Sequence, residues 1–160
     1  MATRSGSVDP GMLLWLLERE SLTEAELADA LEHESGLLGL AGNAAMRHVL
    51  AAAQSGDHDA RLAIDVYLHR LCAHVGAMAA ALGGVDVLVF TGGVGEHSPE
   101  IRRQATHRLA FLGADIDEAA NRSADGDHDI TASGAAVTTL VLRAREDLEM
   151  ARQARQVLAS

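Results

Sequence analysis
The chain has 160 residues, 48% of them apolar and only 2% aromatic, and a formal net charge of −10. That length is enough to bury a core, and with so few rings Ala, Leu and Val must fill it, which favours closely packed helices. The negative charge argues against nucleic acid or an anionic membrane as the main partner, because both select a positive surface. Any bound phosphate must be held by local donors or by a metal.

In chain order, the polar, turn-rich opening leads to Asp9-Pro10, an N-cap followed by proline at the first helical position, and predicts a helix over 11–20. Thr23 with Glu26 forms a capping box for a second helix, with a buried stripe at Leu22, Leu27 and Leu31 and a stop at Gly36. "LLGLAGN" reads as a short apolar connector, and a third helix is expected over 44–54. A fourth, 59–82, is apolar on most sides with Arg61, Asp65 and His69 as a polar ridge, and so is expected to be central and covered by neighbours. "VDVLVF" (85–90) reads as a strand too apolar to alternate. A helix over 99–112, a second buried strand over 136–142 and a closing helix over 146–158 follow, with a further strand candidate around Ile130. Two buried parallel strands cannot satisfy their own edges. Either a partner completes the sheet or the fold is partial.

Cys72 is the only cysteine and lies in an apolar helical run, so it reads as a buried, inert thiol suited to a reducing cytoplasm. The N-terminal stretch lacks the apolar core of a signal peptide. The run Leu71 to Leu82 is too short to cross a membrane and contains His74. A soluble, cytoplasmic protein is expected. "DGDHD" (125–129) places acids at alternate positions, but Ile130 stands where a calcium loop needs glycine, so it reads as a solvated loop. The histidines show no pair at metal spacing on one helix face except His69 and His74, which are too far apart, and none reads as a ligand.

The stretch that carries chemistry is "LVFTGGVGEHSPE" (88–100): an apolar strand, Gly92, Gly93 and Gly95, then Ser98-Pro99 as a helix start. Glycines admit positive φ and close backbone approach, and free N–H groups at the following helix start would attract an anion. A P-loop is excluded, since no Gly-Lys-Ser/Thr follows. A Rossmann turn wants a third glycine where Ser98 stands, although Asp115 has the spacing of a ribose-binding acid. The segment after it turns polar at once and offers little second strand. An actin-like nucleotide loop is the third reading.

Four colinear stretches resemble the acetate kinases. They are "TRSGSVDPG", "SGLLGLAG" followed by "MRHV", "VFTGGVGEHSPEIRR" and "REDLEMARQ", and together they cover nearly all of the chain. The resemblance implies an α/β fold, the helix-rich C-terminal part of an actin-like (ribonuclease H-like) kinase domain with an incomplete central sheet, as one domain over 1–160 without the family's N-terminal domain. It assigns Arg4 to the phosphoryl group in transit, where a planar guanidinium can hold two oxygens. It assigns Met46 and Arg47 to the adenosine side, Gly93, Val94, Gly95, Glu96 and His97 to the nucleotide loop, and Glu146 to support of Mg²⁺ or Mn²⁺. Three departures stand out: Ala45 replaces an acid, His97 an asparagine, and "RAR" the Pro-Thr before Glu146. With nothing before it, the Arg4 segment is expected to fray.

The activity implied is that of a Mg-dependent transferase moving phosphate between ATP and a short-chain carboxylate such as acetate, with this chain carrying the nucleotide-side half. The alternative is a catalytically inactive nucleotide-binding or oligomerising remnant. Uncovered strand edges and the apolar first helix predict self-association, as a homodimer or otherwise.

Overall fold
The computed structural model of the chain describes residues 2–20 and 22–158, and the fold divides after Leu71 into two compact units.

In the first unit, α1 (Pro10–Arg19) opens as expected: the Asp9 carboxylate accepts from the Met12 amide at 3.1 Å, with Pro10 in the first turn. None of its side chains is buried, and Leu14 and Trp15 are 61% and 51% exposed. The capping box opens α2 (Glu24–Asp29), with Glu26 N donating to Thr23 Oγ1 at 3.2 Å and Thr23 N to Glu26 Oε2 at 2.8 Å. These bonds, the backbone one first, hold the Glu26 carboxyl below its usual range.

The helix then departs from expectation. It passes into a π turn over Ala30–Glu34 and ends at Ser35, whose hydroxyl donates to Ala30 O at 2.7 Å. The expected connector is itself helical, as α3 (Gly36–Ala41), entered at Gly36 with φ 64° and closed by Gly42 with φ 66°. Leu and Ala favour helix there, and Leu37 is buried. Gly39 is required by packing, since a Cβ would lie 2.7 Å from the Glu34 carbonyl oxygen.

Next come α4 (Met46–Gln54) and α5 (His58–Leu82), the latter started by Ala60 N donating to Asp57 Oδ1 at 3.0 Å. Ala60, Ala63, Ile64 and Leu68 are buried at helical spacing, while Leu62, Met78 and Leu82 are exposed. The long helix is therefore covered along one stripe and not all round.

The second unit begins within α5 and contains the sheet. Strands β1 (Val87–Phe90), β2 (His128–Asp129) and β3 (Thr138–Val141) lie in the order β1-β3-β2, β1 parallel and β2 antiparallel to β3. The register pairs Val87 with Thr138 and Phe90 with Val141. The expected burial of β1 is not met: Val87 and Val89 are 50% and 42% exposed, and only Leu88 and Phe90 turn inward. Only one face of this strand is covered, so an apolar run that predicted two buried faces fills only one. Among the described residues β1 has no second strand neighbour.

Helix α6 (Gly92–His97) and α7 (Pro99–Arg108) follow β1; a 3₁₀ turn (Ala110–Leu112), α8 (Glu118–Ser123) and the fully exposed α9 (Glu146–Leu158) complete the unit. Leu109, Ala114 and Val137 form one buried cluster, joined by Val75, Val85 and Leu88; Ile116, Ile130 and Val141 form another. Cys72, expected to be buried, is only half-buried where it packs on the first cluster, and that burial pushes its thiol pKa up. Among the described residues no helix is long and apolar enough to cross a membrane.

Gly113 links α7 to the sheet with φ 89°, and a Cβ there would meet Ala136 Cβ at 2.9 Å. Gly113→Ala is expected to cost about 1–3 kcal/mol from backbone strain and overpacking. Urea denaturation checks this; a wild-type midpoint would refute it.

Candidate functional site
The glycine segment is not an open loop. After Thr91, in extended conformation, Gly92 adopts φ 71° and residues 92–97 wind into a short helix. Gly92 is the only glycine of the three with positive φ. Gly95 serves close packing, because a Cβ would lie 3.2 Å from the Phe90 carbonyl carbon. Gly93 is different: it is exposed, and no atom lies within 4 Å of where its Cβ would be. A side chain at Gly93 would meet nothing within 4 Å in the chain itself.

The expected anion site at the next helix start is not exposed. Ser98 and Ile101 are buried, and the Ser98 hydroxyl already accepts from Ile101 N. The Gly92 amide is also occupied: it donates to Glu96 Oε1 at 2.9 Å, and the same oxygen accepts from Ala144 N at 2.9 Å. One carboxylate oxygen thus ties the glycine turn to the connector that precedes Glu146. His97 and Glu146 are exposed, the latter as the first residue of α9.

Beneath the turn lies Arg102, fully buried. Its Nη1 donates to Gly95 O at 2.8 Å and Glu96 O at 2.7 Å, its Nε to Asn121 Oδ1 at 2.7 Å and its Nη2 to Asn121 O at 2.7 Å. Asn121, also buried, completes the node by donating from Nδ2 to Pro99 O at 3.0 Å. Carbonyls at the end of a helix have no intrahelical donor, and here a guanidinium supplies it. Burial draws the Arg102 pKa down from the usual guanidinium value.

This node went unnoticed in the sequence, although a signal was present. Ser98, Ile101, Arg102, Ala105, Thr106 and Leu109 are all buried, and they fall at helical spacing. An arginine inside an apolar stripe marks a buried network.

The remaining candidates belong to the first unit. Arg4 is exposed, but its segment is pinned and not frayed: Thr3 Oγ1 donates to Glu32 O and Ser5 N to Leu31 O, both at 2.9 Å, and Leu38 N to Ala2 O at 3.0 Å. The π turn supplies two of these carbonyls. At α4, Met46 is buried and belongs to the packing, whereas Arg47 is exposed with its Nε 3.3 Å from His48 Nε2. Ala45 occupies the cap position and has no side chain to cap with; Asn43 Oδ1 instead accepts from the Ala45 amide at 2.9 Å.

The second unit therefore joins the glycine turn to the Glu146 connector, and the first presents Arg4 and Arg47. Among the described residues no cluster of His, Cys, Asp and Glu is arranged to hold a metal. A cleft of about 630 Å³ beside α7, lined by Arg103, Thr106, His107 and Asp115 among others, contains none of the residues that the family resemblance assigns.

Replacing Arg102 by Met strips the Gly95, Glu96 and Asn121 oxygens of their donor while preserving bulk. The expected loss is about 3–5 kcal/mol, because several buried acceptors are orphaned together. Urea denaturation measures it, and a loss under about 1 kcal/mol would show that water satisfies these groups instead.

The model of the Acetokinase family matches residues 1–152. Curated acetate kinases of Leifsonia xyli and Nostoc punctiforme are 46% and 44% identical over 161 and 159 residues. The chain spans 41% and 39% of those proteins' lengths. In three dimensions it superposes on the acetate kinase of Porphyromonas gingivalis with a TM-score of 0.89 and 38% identity, covering 99% of this chain and 40% of that one. A propionate kinase from Francisella tularensis gives 0.86 and 34%, over 92% of this chain and 38% of that one. The mixed α/β architecture, rich in helix with a small sheet, is accordingly that of an actin-like kinase domain. By matching that family along nearly its whole length in sequence and in backbone, the chain belongs to the acetokinase family.

Proposed function
We propose that this chain forms the nucleotide-side half of a carboxylate kinase that transfers phosphate between ATP and acetate, giving ADP and acetyl phosphate. The observation that carries this reading is the exposed, unobstructed Gly93 on a turn held rigid from beneath by Arg102 and from the side by Glu96. In this reading a nucleotide lies along Gly93 to His97, where bare backbone permits close approach. The backbones of Val94 and Gly95 border it; the Glu96 carboxylate shapes the turn and stays away from the ligand. The family resemblance assigns the nucleoside to Arg47, which is exposed on α4, with Met46 buried beside it in the chain. It likewise assigns the oxygens of the migrating phosphoryl group to Arg4, whose backbone segment is pinned.

The exposed Glu146 carboxylate suits a Mg²⁺ or Mn²⁺ ion that keeps most of its waters and takes its other ligands from phosphate. Such an ion, when bound, neutralises charge on the phosphate oxygens. Because positioning supplies most of the rate in phosphoryl transfer, the 160-residue chain alone is expected to make acetyl phosphate far more slowly than a full-length kinase. A cytoplasmic location and self-association belong to the same reading. The exposed Met12, Leu14 and Trp15 of α1 favour self-association. Ala45, with no side chain to reach a nucleoside, favours the second reading, a non-catalytic remnant.

Titration calorimetry of ADP with Mg²⁺ separates the two readings. Binding heat is expected, and none at millimolar ligand would leave only the remnant. Gly93→Ala should weaken binding roughly tenfold by crowding the ligand, yet leave thermal stability unchanged or slightly higher. Glu146→Gln should abolish most of the gain in affinity that Mg²⁺ confers.

A further inference from the structure
The acidic loop at 125–129 and the Arg143-Ala144-Arg145 run look unrelated in the sequence, one a solvated loop and the other a departure from the family pattern. In the fold they are two sides of one clip. The Arg143 amide donates to Asp127 Oδ1 at 3.0 Å, and Arg145 Nη2 reaches Asp127 Oδ2 at 2.6 Å. Arg143 Nη2 meets Asp125 Oδ1 at 3.0 Å. Gly126, with φ 75°, turns the loop against the Arg143 side chain, where a Cβ would lie 3.2 Å from Nε. The Arg145 guanidinium, and then the Arg143 amide, hold the Asp127 carboxyl below the usual aspartate range.

Three consecutive residues are thus held from two sides: Arg143 and Arg145 by Asp127, and Ala144 between them by Glu96 of the glycine turn. Glu146 comes next in the chain. These ion pairs are exposed, and exposed pairs contribute little to global stability. Their effect is local, on where the connector sits.

We propose that Asp127 is a positioning residue for Glu146. Its two oxygens set the connector against the glycine turn, so that Glu96 can bridge both and the first carboxylate of α9 stands at a fixed place beside the turn. The "RAR" run is then a replacement fastening and not a loosening of the site. The consequence for metal and nucleotide rests on the reading of Glu146 given above; the fastening itself does not.

The full 160-residue chain tests this with Asp127→Asn, which keeps an acceptor for the Arg143 amide, and Asp127→Ala, which keeps none. Hydrogen exchange of the Ala144 amide is expected to quicken roughly tenfold in D127A and much less in D127N. The factor by which Mg²⁺ strengthens ADP binding should fall roughly tenfold in D127A, as for residues that orient a metal's ligand, with partial rescue in D127N. Unchanged Ala144 exchange in D127A would overturn the fastening. Faster exchange with an unchanged Mg²⁺ effect would overturn the positioning role. A wild-type chain that binds no Mg²⁺-ADP would sink the nucleotide reading, while the exchange measurement would still decide the fastening.

Discussion
The second unit depends on a buried guanidinium. A helix as short as α6 cannot stabilise itself, because its few turns leave most of its amides and carbonyls without partners. Arg102 supplies donors to two of the terminal carbonyls and, through Asn121, ties the next helix's first residue into the same node. Burying a charge is costly unless its hydrogen bonds are met, and here four of them are. The arrangement suits a ligand-binding turn. The rigidity comes from below, so the upper surface around Gly93 is left bare.

The opposite end of the turn is fastened by the half-buried Glu96 carboxylate, which accepts from the Gly92 amide and, toward the surface, from the Ala144 amide. The site is thus built with a firm floor and a looser wall. The floor is backbone gripped by a buried side chain; the wall is the 143–146 connector, held by carboxylates at the surface. Under the proposed function, the firm floor would bed the nucleotide and the looser wall would carry the Glu146 carboxylate.

How much of this was legible varied with the kind of signal. Local capping chemistry read true: Asp9-Pro10, Thr23 with Glu26 and Ser98-Pro99 each open a helix in the structure, because a cap bonds within three residues of itself. The two longer strands were legible from their apolar runs; the one expected around Ile130 is the polar, exposed pair His128–Asp129 just before it. Burial was less legible. Val87 and Val89 are as apolar as any core residue, yet whether they are covered depends on what packs against them, which hydropathy does not encode. The glycines misled in a similar way. Three close together suggested an open loop, but only Gly92 needs its unusual backbone and Gly95 needs only space. The family motifs located the candidate site residues in the sequence. What holds them was hidden, because Arg102, Asn121 and Asp127 act across long sequence separations.

The π turn at Ala30–Glu34 has a consequence of its own. Such a turn is an α-helix carrying one residue more than its regular winding would hold. The extra residue points the carbonyls of Leu31 and Glu32 toward the segment that bears Arg4. Deleting a single residue there would let the helix rewind, turning every later carbonyl about 100° around the axis. The helix would be more regular and its capping unaltered, yet the Arg4 segment would lose the two bonds it makes to the turn's carbonyls. A length change of one residue, neutral for helix formation, would thus act on a segment far from it in the sequence.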